Sequence, residues 1–394
     1  GMFVSRVCFG TLLLVVATAY PLAFEDFKET SNGNSGAPLT LLPLETEAAC
    51  LDGSPYGFYF APSSSNSTKW TIYFQGGGWC YDEDLCYARS KTALGSSKHW
   101  GKEGSCACMN VKEDGTMDDC NCLHLPYGDG ASFSGYRKDP WPVPSAPGET
   151  LMFRGIKNLD ASLDYAFSKL GLGASTEMVV TGSSAGGLST FLHTDRVAAR
   201  LHDSAPDCKI IRGAPVVGFF LDHGDYKHDA HNYTAFMKYI YSMQNLTVGA
   251  LNAECLAAYT SAPHLCFMAP HMQKFIKTPW FMFNSKYDAW QLANELQTAW
   301  TTKAEQEAVV QYGVDFLLQF SPVRSEPQNG AMITTCICHG CPWPELVLDN
   351  KNSYQHYADW FYGKSIGASS IHVDNRGPNG DGSITLKDCK PFPA

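Results

Sequence analysis

Three residue types that together perform nucleophilic catalysis occur in the chain, far apart in sequence. Ser184 is the centre of a Gly-x-Ser-x-Gly pattern inside residues 181–187, TGSSAGG. Asp288 and His339 follow it later in the chain. A serine hydroxyl becomes an effective nucleophile when a histidine removes its proton and a carboxylate orients that histidine. The chain therefore contains the components of such a relay, provided that the fold brings them together.

Each candidate follows a short apolar segment of the kind that forms a buried strand. Residues 178–180 lead into the Gly-x-Ser-x-Gly turn and a helical segment follows, which is the context of a nucleophile elbow. Asp288 follows residues 280–283, where it could also cap a helix, and the two roles are compatible. Residues 331–335 precede His339. Because the carboxyl ends of parallel strands collect at one edge of a sheet, the three side chains could meet there.

The chain order Ser, Asp, His is that of α/β-hydrolases and differs from the orders in chymotrypsin-type and subtilisin-type proteases. Predicted strands alternate with helical segments such as residues 156–170, whose apolar side chains recur at helical spacing. This alternation predicts an α/β fold: an α/β-hydrolase-like, doubly wound, mainly parallel sheet with helices on both faces. Residues 80–122 form a cysteine-rich insertion.

A run of glycines ends another predicted strand. Residues 70–75 are aromatic and β-branched, and three glycines at residues 76–78 follow directly. In α/β-hydrolases a loop of this type supplies part of the oxyanion hole, whereas a purely structural turn is the alternative. A second loop, residues 128–135, is predicted to be flexible and carries an acid and hydroxyl groups. It could line a cleft or form a solvated turn.

Cysteine and histidine clusters raise the alternative of a metal site. The C-x-C pairs of the insertion differ from the C-x₂-C spacing of zinc sites, and disulfides are the preferred interpretation. His339 lies among three cysteines, and we interpret it as a base because oxidised cysteines do not bind zinc. Residues 214–279 resemble a lid, and the histidines at its start are predicted to be ordinary surface residues: His223, His228 and His231. Residues 379–384 faintly resemble a calcium loop but predict a plain turn. No metal and no cofactor are predicted.

The composition indicates a globular chain. It has 394 residues, 44% of them hydrophobic, and a net charge of −10 without a basic cluster. Nucleic acid and acidic membrane surfaces are therefore excluded as expected partners. Because no internal linker divides the chain, residues 39–394 are predicted to form a single catalytic domain, and we expect a monomer.

The N-terminal residues and the cysteines indicate the secretory pathway. Residues 1–23 combine a short apolar run with small residues and predict a cleaved signal peptide, with an uncleaved anchor as the alternative. Residues 24–38 predict a flexible lead-in. One of the 15 cysteines lies in the signal peptide, so the rest are even in number and predict disulfides, with Cys80 and Cys86 as a local pair. Three glycosylation sequons agree: Asn66, Asn232 and Asn245.

Taken together, these segments resemble the pectin acetylesterase family, which includes the Notum-type carboxylesterases. The resemblance spans roughly residues 39–345 and rests on these segments: LTLLPL at 39–44, ACLDG at 49–53, QGGGWC at 75–80, DGASFSG at 129–135, GSSAGG at 182–187, NS and YDAWQ within 284–291, and CH at 338–339. There are departures, since the plant pattern usually has a cysteine where this chain has Gly128. Family members also often have Ala before the histidine and Cys-Gln after it, where this chain has Cys338 and then Gly340-Cys341. Trp79 runs directly into Cys80, as in the plant-like branch.

The resemblance implies a Ser184–His339–Asp288 triad and oxyanion donors at the backbone N–H groups of Gly78, Trp79 and Ala185. It implies a secreted serine esterase that removes acetyl groups from a polysaccharide such as pectin, without stable membrane insertion. Two alternatives remain at this point. The first is a deacylase that removes a fatty acyl group from a protein, and the second is a catalytically dead, glycan-binding relative.

Overall fold

The computed structural model describes residues 34–247, 249–322, 326–380 and 382. Its strands, numbered in chain order, are β1 (Asn34–Leu41), β2 (Gly57–Ala61), β3 (Lys69–Phe74), β4 (Glu103–Cys106), β5 (Asn121–Leu125), β6 (Trp141–Pro142), β7 (Thr150–Leu151), β8 (Glu177–Ser183), β9 (Ile210–Val216), β10 (Phe281–Ser285), β11 (Gly330–Thr334), β12 (Val347–Leu348), β13 (Lys351–Asn352) and β14 (Ile371–Val373). Its helices are α1 (Glu83–Arg89), α2 (Gly155–Tyr165), α3 (Ala185–Ser204), α4 (Asn232–Met243), α5 (Ala253–Ala258), α6 (Ala269–Met272), α7 (Ala289–Asn294), α8 (Lys303–Phe320) and α9 (Ser353–Phe361).

A ten-stranded sheet forms the centre, in the order β14-β11-β10-β9-β8-β3-β5-β2-β1-β4. Neighbouring strands from β14 to β5 are parallel. The pairs β5–β2, β2–β1 and β1–β4 are antiparallel. Strand β8, which precedes Ser184, lies in the interior of the parallel part. The carboxyl ends of β3, β8, β10 and β11 therefore open toward the same edge of the sheet.

Helices cover both faces of the sheet, because successive side chains of a strand point to opposite faces. Met178 and Val180 of β8 belong to the core that contains Leu188 of α3. Val179 belongs to a second core that contains Tyr357 of α9. Burial of each such side chain stabilises the fold by about 1.5–3 kcal/mol. The predicted doubly wound, mainly parallel α/β fold is confirmed.

The N-terminal part of the domain differs from the prediction. The flexible lead-in expected at residues 24–38 is wrong at its end, since β1 begins at Asn34 and pairs with both β2 and β4. A strand paired on both sides is held by backbone hydrogen bonds, so its polar, glycine-containing sequence did not reveal it. The predicted signal peptide at residues 1–23 lies outside the described residues. Within the described ranges, no helix is long and apolar enough to cross a bilayer.

Most of the cysteines form disulfides. The predicted local pair Cys80–Cys86 is bonded, and further bridges are Cys106–Cys122, Cys108–Cys120, Cys255–Cys266 and Cys338–Cys341. The expectation that no free thiols remain is wrong for Cys50 and Cys208, which are buried and unbonded. The insertion also contributes β4 and β5 to the central sheet, and the bridge Cys106–Cys122 joins these two strands.

Candidate active site

Ser184 lies between the end of β8 and the start of α3. Its φ of 60° and ψ of −125° are a strained combination for a residue with a side chain. The turn can be this tight because its neighbours are glycines. A Cβ on Gly186 would lie 2.0 Å from the carbonyl oxygen of Phe74, and one on Gly182 would lie 2.5 Å from the carbonyl oxygen of Gly186. The half-buried Ser184 side chain is therefore held at the carboxyl edge of the sheet.

A continuous hydrogen-bonded relay joins Ser184 to Asp288. His339 Nε2 lies 2.8 Å from Ser184 Oγ. On the other side of the ring, His339 Nδ1 lies 2.8 Å from Asp288 Oδ2 and 3.0 Å from Asp288 Oδ1. Because the carboxylate accepts, this geometry favours a proton on Nδ1 and leaves Nε2 free to accept the serine proton. The arrangement can deprotonate a serine hydroxyl during attack on a carbonyl.

Asp288 and His339 are held by the elements around them. The Asp288 side chain is fully buried, and its Oδ1 also accepts the backbone N–H of Gln291 at 3.0 Å as the N-cap of α7. His339 lies inside the short loop closed by the Cys338–Cys341 disulfide. Asp288 therefore fills both roles considered from the sequence, a helix cap and a histidine partner.

The glycine loop after β3 packs directly against the Ser184 turn. A Cβ on Gly76 would lie 2.3 Å from the carbonyl oxygen of Ser183, and Gly78 has a φ of 65°. In the described part of the chain, the backbone N–H groups of Gly78, Trp79 and Ala185 donate to no protein acceptor. Unengaged N–H groups beside a nucleophile can stabilise the oxyanion of a tetrahedral intermediate.

The loop at residues 128–135 is buried, so the solvated-turn alternative is wrong. Asp129, Ser132 and Ser134 are all 0% exposed. The indole Nε1 of Trp79 donates to Ser132 Oγ at 2.9 Å, and Ser132 Oγ donates to the carbonyl oxygen of Ala185 at 2.9 Å. Ser132 thereby links the glycine loop to the first residue of α3. Neither its position nor this role could be read from a serine in a glycine-rich segment.

Two buried titratable side chains contact or belong to this loop. Burial raises the pKa of Asp129 to about 7, and its Oδ2 accepts the N–H of Ala131 at 3.3 Å. His193 of α3 bonds the carbonyl oxygen of Ser132 through Nε2 at 2.9 Å, and burial lowers its pKa to about 4. Both groups therefore carry less charge at neutral pH than the same side chains in water.

Four aromatic side chains pack together beside the relay. Trp79 contacts Phe220, Trp290 and Tyr233 with ring centroids 4.9, 5.6 and 5.7 Å apart. Phe220 also lies 5.2 Å from Trp290 and 6.3 Å from the ring of His339. Trp79, Phe220 and Tyr233 are at least 96% buried. This aromatic cluster, Trp79, Phe220, Tyr233 and Trp290, fills space next to the nucleophile.

The lid histidines contact acidic side chains other than Asp288. His228 and His231 are exposed, as predicted, whereas His223 is half-buried and bonds Asp315 at 3.1 Å. His231 bonds Asp222 at 2.9 Å. Among the described residues no group of three or more His, Cys, Asp or Glu side chains could hold a metal ion. The calcium-like segment lies partly outside the described residues.

The three sequons differ in exposure. Asn66 is exposed in a turn with a φ of 58°. Asn232 is the half-buried first residue of α4. The half-buried Asn245 donates its side-chain amide to the carbonyl oxygen of Tyr136 at 3.3 Å. Asn66 is therefore the most accessible of the three acceptors.

The family-model comparison matches residues 30–379 to the model described as Pectinacetylesterase. The chain belongs to this pectinacetylesterase family. It is a carboxylic ester hydrolase. "Pectin acetylesterase 11" of Arabidopsis thaliana is 28% identical over 363 residues, which cover 84% of this chain and 89% of that protein.

Other relatives belong to the Notum-type branch of the family. "Palmitoleoyl-protein carboxylesterase NOTUM" of Drosophila melanogaster is 27% identical over 318 residues, covering 77% of this chain and 45% of that protein. The solved structure of the "Wnt deacylase Notum from Drosophila" matches with a TM-score of 0.74 at 22% identity. It covers 86% of this chain and 97% of that chain, which shows that the two share a fold.

Proposed function

We propose that this protein is a secreted serine carboxylesterase that removes O-acetyl groups from a polysaccharide such as pectin. The single observation that carries the proposal is the unbroken relay from Ser184 through His339 to Asp288, with His339 2.8 Å from both neighbours. The proposed substrate follows from the relatives named pectin acetylesterase. No cofactor is invoked in the proposed reaction.

In the proposed mechanism Ser184 Oγ attacks the acetyl carbonyl while His339 Nε2 takes its proton. Asp288 keeps the imidazole in the required tautomer and stabilises the imidazolium. The N–H groups of Gly78, Trp79 and Ala185 bind the oxyanion, and each such donor is worth about 3 kcal/mol of barrier. His339 returns the proton to the leaving sugar hydroxyl. It then activates water, which releases acetate from the acyl-enzyme.

The aromatic cluster supports a small acyl group over a fatty one. The four side chains contact one another at ring distances between 4.9 and 6.2 Å, and three of them are almost fully buried. A long acyl chain would have to displace these packed rings, and each large displaced side chain would cost about 3–5 kcal/mol if its packing were lost. Acetyl needs no such displacement. The fatty-acyl deacylase remains the second candidate because the Notum-type relatives carry that name.

The chemical environment supports export of the chain. Disulfides are stable in oxidising compartments and rare in the cytosol, and the described residues contain bridges in the insertion, the lid and the His339 loop. We therefore propose passage through the secretory pathway, with glycosylation of Asn66, Asn232 and Asn245. We also propose that the protein acts as a monomer.

Acetate release from acetylated pectin, together with hydrolysis of 4-nitrophenyl esters of increasing chain length, tests this function. We expect release of acetate, a preference for the acetyl ester, and loss of activity in Ser184→Ala without loss of folding. Undiminished turnover by Ser184→Ala would refute the nucleophile. A preference for long-chain esters, with deacylation of a palmitoleoylated peptide, would favour the second candidate. Glycan binding without any ester hydrolysis would favour a dead relative.

A further inference from the structure

Arg89, the last residue of α1, contacts the glycine loop from the side of the insertion. Its Nη2 donates to the carbonyl oxygen of Gly77 at 2.8 Å and to that of Trp79 at 3.2 Å. Its guanidinium lies 5.7 Å from the centre of the Tyr127 ring, and its Nη1 is buried. One guanidinium nitrogen therefore holds two backbone carbonyls of the loop that carries the proposed oxyanion donors.

The orientation of these carbonyls determines where the neighbouring N–H groups point. All peptide bonds in the described residues are trans, so C=O and N–H of one peptide unit point in opposite directions. When Arg89 binds the carbonyl of Gly77, the N–H of Gly78 must point away from the guanidinium. The peptide after Trp79 is held at both ends, because its carbonyl binds Arg89 and the N–H of Cys80 donates to Gly130 at 3.2 Å.

We propose that Arg89 is a positioning residue for the oxyanion site, acting through the peptide units on either side of the Gly78–Trp79 peptide. This inference rests on the proposed function, since it assigns a role to a residue behind the proposed donors. A flexible loop of glycines has no intrinsic preference for one orientation. Without Arg89 the loop would sample orientations in which the N–H groups of Gly78 and Trp79 no longer converge on the tetrahedral oxygen.

Two further features hold Arg89 in place. The Cys80–Cys86 disulfide ties α1 to the residue that follows Trp79, so Arg89 cannot move away from the loop with its helix. The Arg89 side chain also packs against the buried loop at residues 128–135, since a Cβ on Gly130 would lie 3.4 Å from Arg89 Cδ. A positive group behind a carbonyl polarises the peptide and makes its N–H a stronger donor. The contact with the carbonyl of Gly77 therefore both orients and strengthens the N–H of Gly78.

Steady-state kinetics and inhibitor affinity of Arg89→Met test this role. Methionine retains the apolar stem but removes every donor. We expect kcat for 4-nitrophenyl acetate to fall about 10- to 100-fold, somewhat less than for the loss of a donor, while KM changes less than about twofold. The affinity for phenylboronic acid, which forms a tetrahedral adduct with the serine, should fall by the same factor. A residue that only stabilises the fold would lower melting temperature without this parallel change.

Arg196→Met is the matched control, since Arg196 pairs with Asp160 between α3 and α2. It should leave kcat and boronate affinity unchanged. Arg89→Lys keeps the charge but cannot reproduce the guanidinium fork, so we expect a smaller fall in both kcat and boronate affinity. This variant tests the proposal if Arg89→Met does not fold. Wild-type kcat in a folded Arg89→Met variant overturns the inference. So does a fall in kcat with unchanged boronate affinity in either variant. Activity retained by Ser184→Ala would instead refute the proposed function, independently of Arg89.

Discussion

Asp288 serves two neighbours at once, which makes its replacement by asparagine informative. The asparagine side chain could still accept the N–H of Gln291 and cap α7, because asparagine is as good an N-cap as aspartate. Its amide would, however, favour the wrong tautomer of His339. We expect Asp288→Asn to fold like the wild type and to lose about 10⁴-fold in kcat, with little change in KM. Hydrolysis of 4-nitrophenyl acetate and circular dichroism measure the two effects.

Asp195→Asn is a suitable control, because Asp195 lies within α3, about three helical turns beyond Ser184, and accepts backbone N–H groups of Lys277 and Thr278. It should retain full kcat. If Asp288→Asn keeps more than about a tenth of the wild-type kcat, the carboxylate does not hold the tautomer of His339 as proposed.

Cys50 is buried, unbonded and close to Gly128. A Cβ on Gly128 would lie 3.0 Å from Cys50 Sγ. Across a disulfide of ordinary geometry, one Cβ lies about 3 Å from the opposite sulfur. We therefore expect Gly128→Cys to form a bond with Cys50 and to stabilise the protein by about 2–4 kcal/mol. Thiol titration of the unfolded protein and urea denaturation measure the outcome.

Gly128→Ser controls for the added side chain without the sulfur and should be neutral or destabilising. Loss of one titratable thiol relative to wild type is the decisive sign of the new bond. A free-thiol count that rises by one would mean that the two sulfurs do not meet in solution.

At the residue scale, the sequence is sufficient to name candidate catalytic residues, because these depend on residue type and chain order. Ser184, Asp288 and His339 could each be named because each follows a predicted strand, and the structure brings them within hydrogen-bonding distance. Arg89 and Ser132 could not be named. Their roles consist of bonds to backbone carbonyls in other segments, 12 residues away for Arg89 and 53 for Ser132, and such contacts leave no local pattern.

At the scale of elements, the loop that carries His339 is closed by a disulfide across a separation of three residues. So short a loop adds little chain entropy, and its bond contributes more to geometry than to stability. We expect kcat of the double variant Cys338→Ser/Cys341→Ser to fall about 10- to 100-fold, because a small displacement of a catalytic group such as His339 slows the reaction by such factors. Its melting temperature should fall by only a few degrees, about 1 kcal/mol in free energy.

Cys255→Ser/Cys266→Ser is the matched control, since this bridge lies in the lid and spans 11 residues. It should lower stability more and kcat less. The opposite ranking of the two double variants would show that the Cys338–Cys341 bond does not position His339.

The sequence predicts those helices and strands whose apolar side chains follow a regular pattern. It does not predict those held mainly by backbone hydrogen bonds. The helix expected at residues 156–170 appears as α2 with a π-helical continuation, Ala166–Leu170, because its apolar residues recur at helical spacing. Strand β1, which pairs with both β2 and β4, does not follow from the sequence because its polar residues pair through the backbone. The sequence predicts a flexible loop at residues 128–135. The structure instead buries its small polar residues, and Ser132 of this loop bonds Trp79 and His193.

For the molecule as a whole, buried His193 makes stability depend on pH. Its pKa is lowered to about 4 by burial, against about 6.5 in an unfolded chain. As pH falls below about 6.5 the unfolded chain binds a proton that the folded protein excludes, so stability decreases until about pH 4. Between pH 6.5 and 5 this one group should remove about 2 kcal/mol of unfolding free energy. Urea denaturation at both pH values measures the change.

His193→Gln should flatten this pH dependence, because glutamine can still donate to Ser132 but does not titrate. His202→Gln is the control on the same helix, where the histidine is exposed. It should leave the pH dependence as in wild type. An equally steep loss of stability in His193→Gln would locate the acid sensitivity in other groups.

The order of strands in the sheet also bears on how the protein is made. The proposed nucleophile Ser184 follows β8. The acid Asp288 follows β10, and the base His339 follows β11, which is next to the edge strand β14. A ribosome therefore releases the serine more than 150 residues before the histidine that would activate it. If the proposed relay is correct, a nascent chain has no hydrolytic capacity until translation is nearly complete. The growing chain is thereby kept from attacking acetylated molecules during its own synthesis.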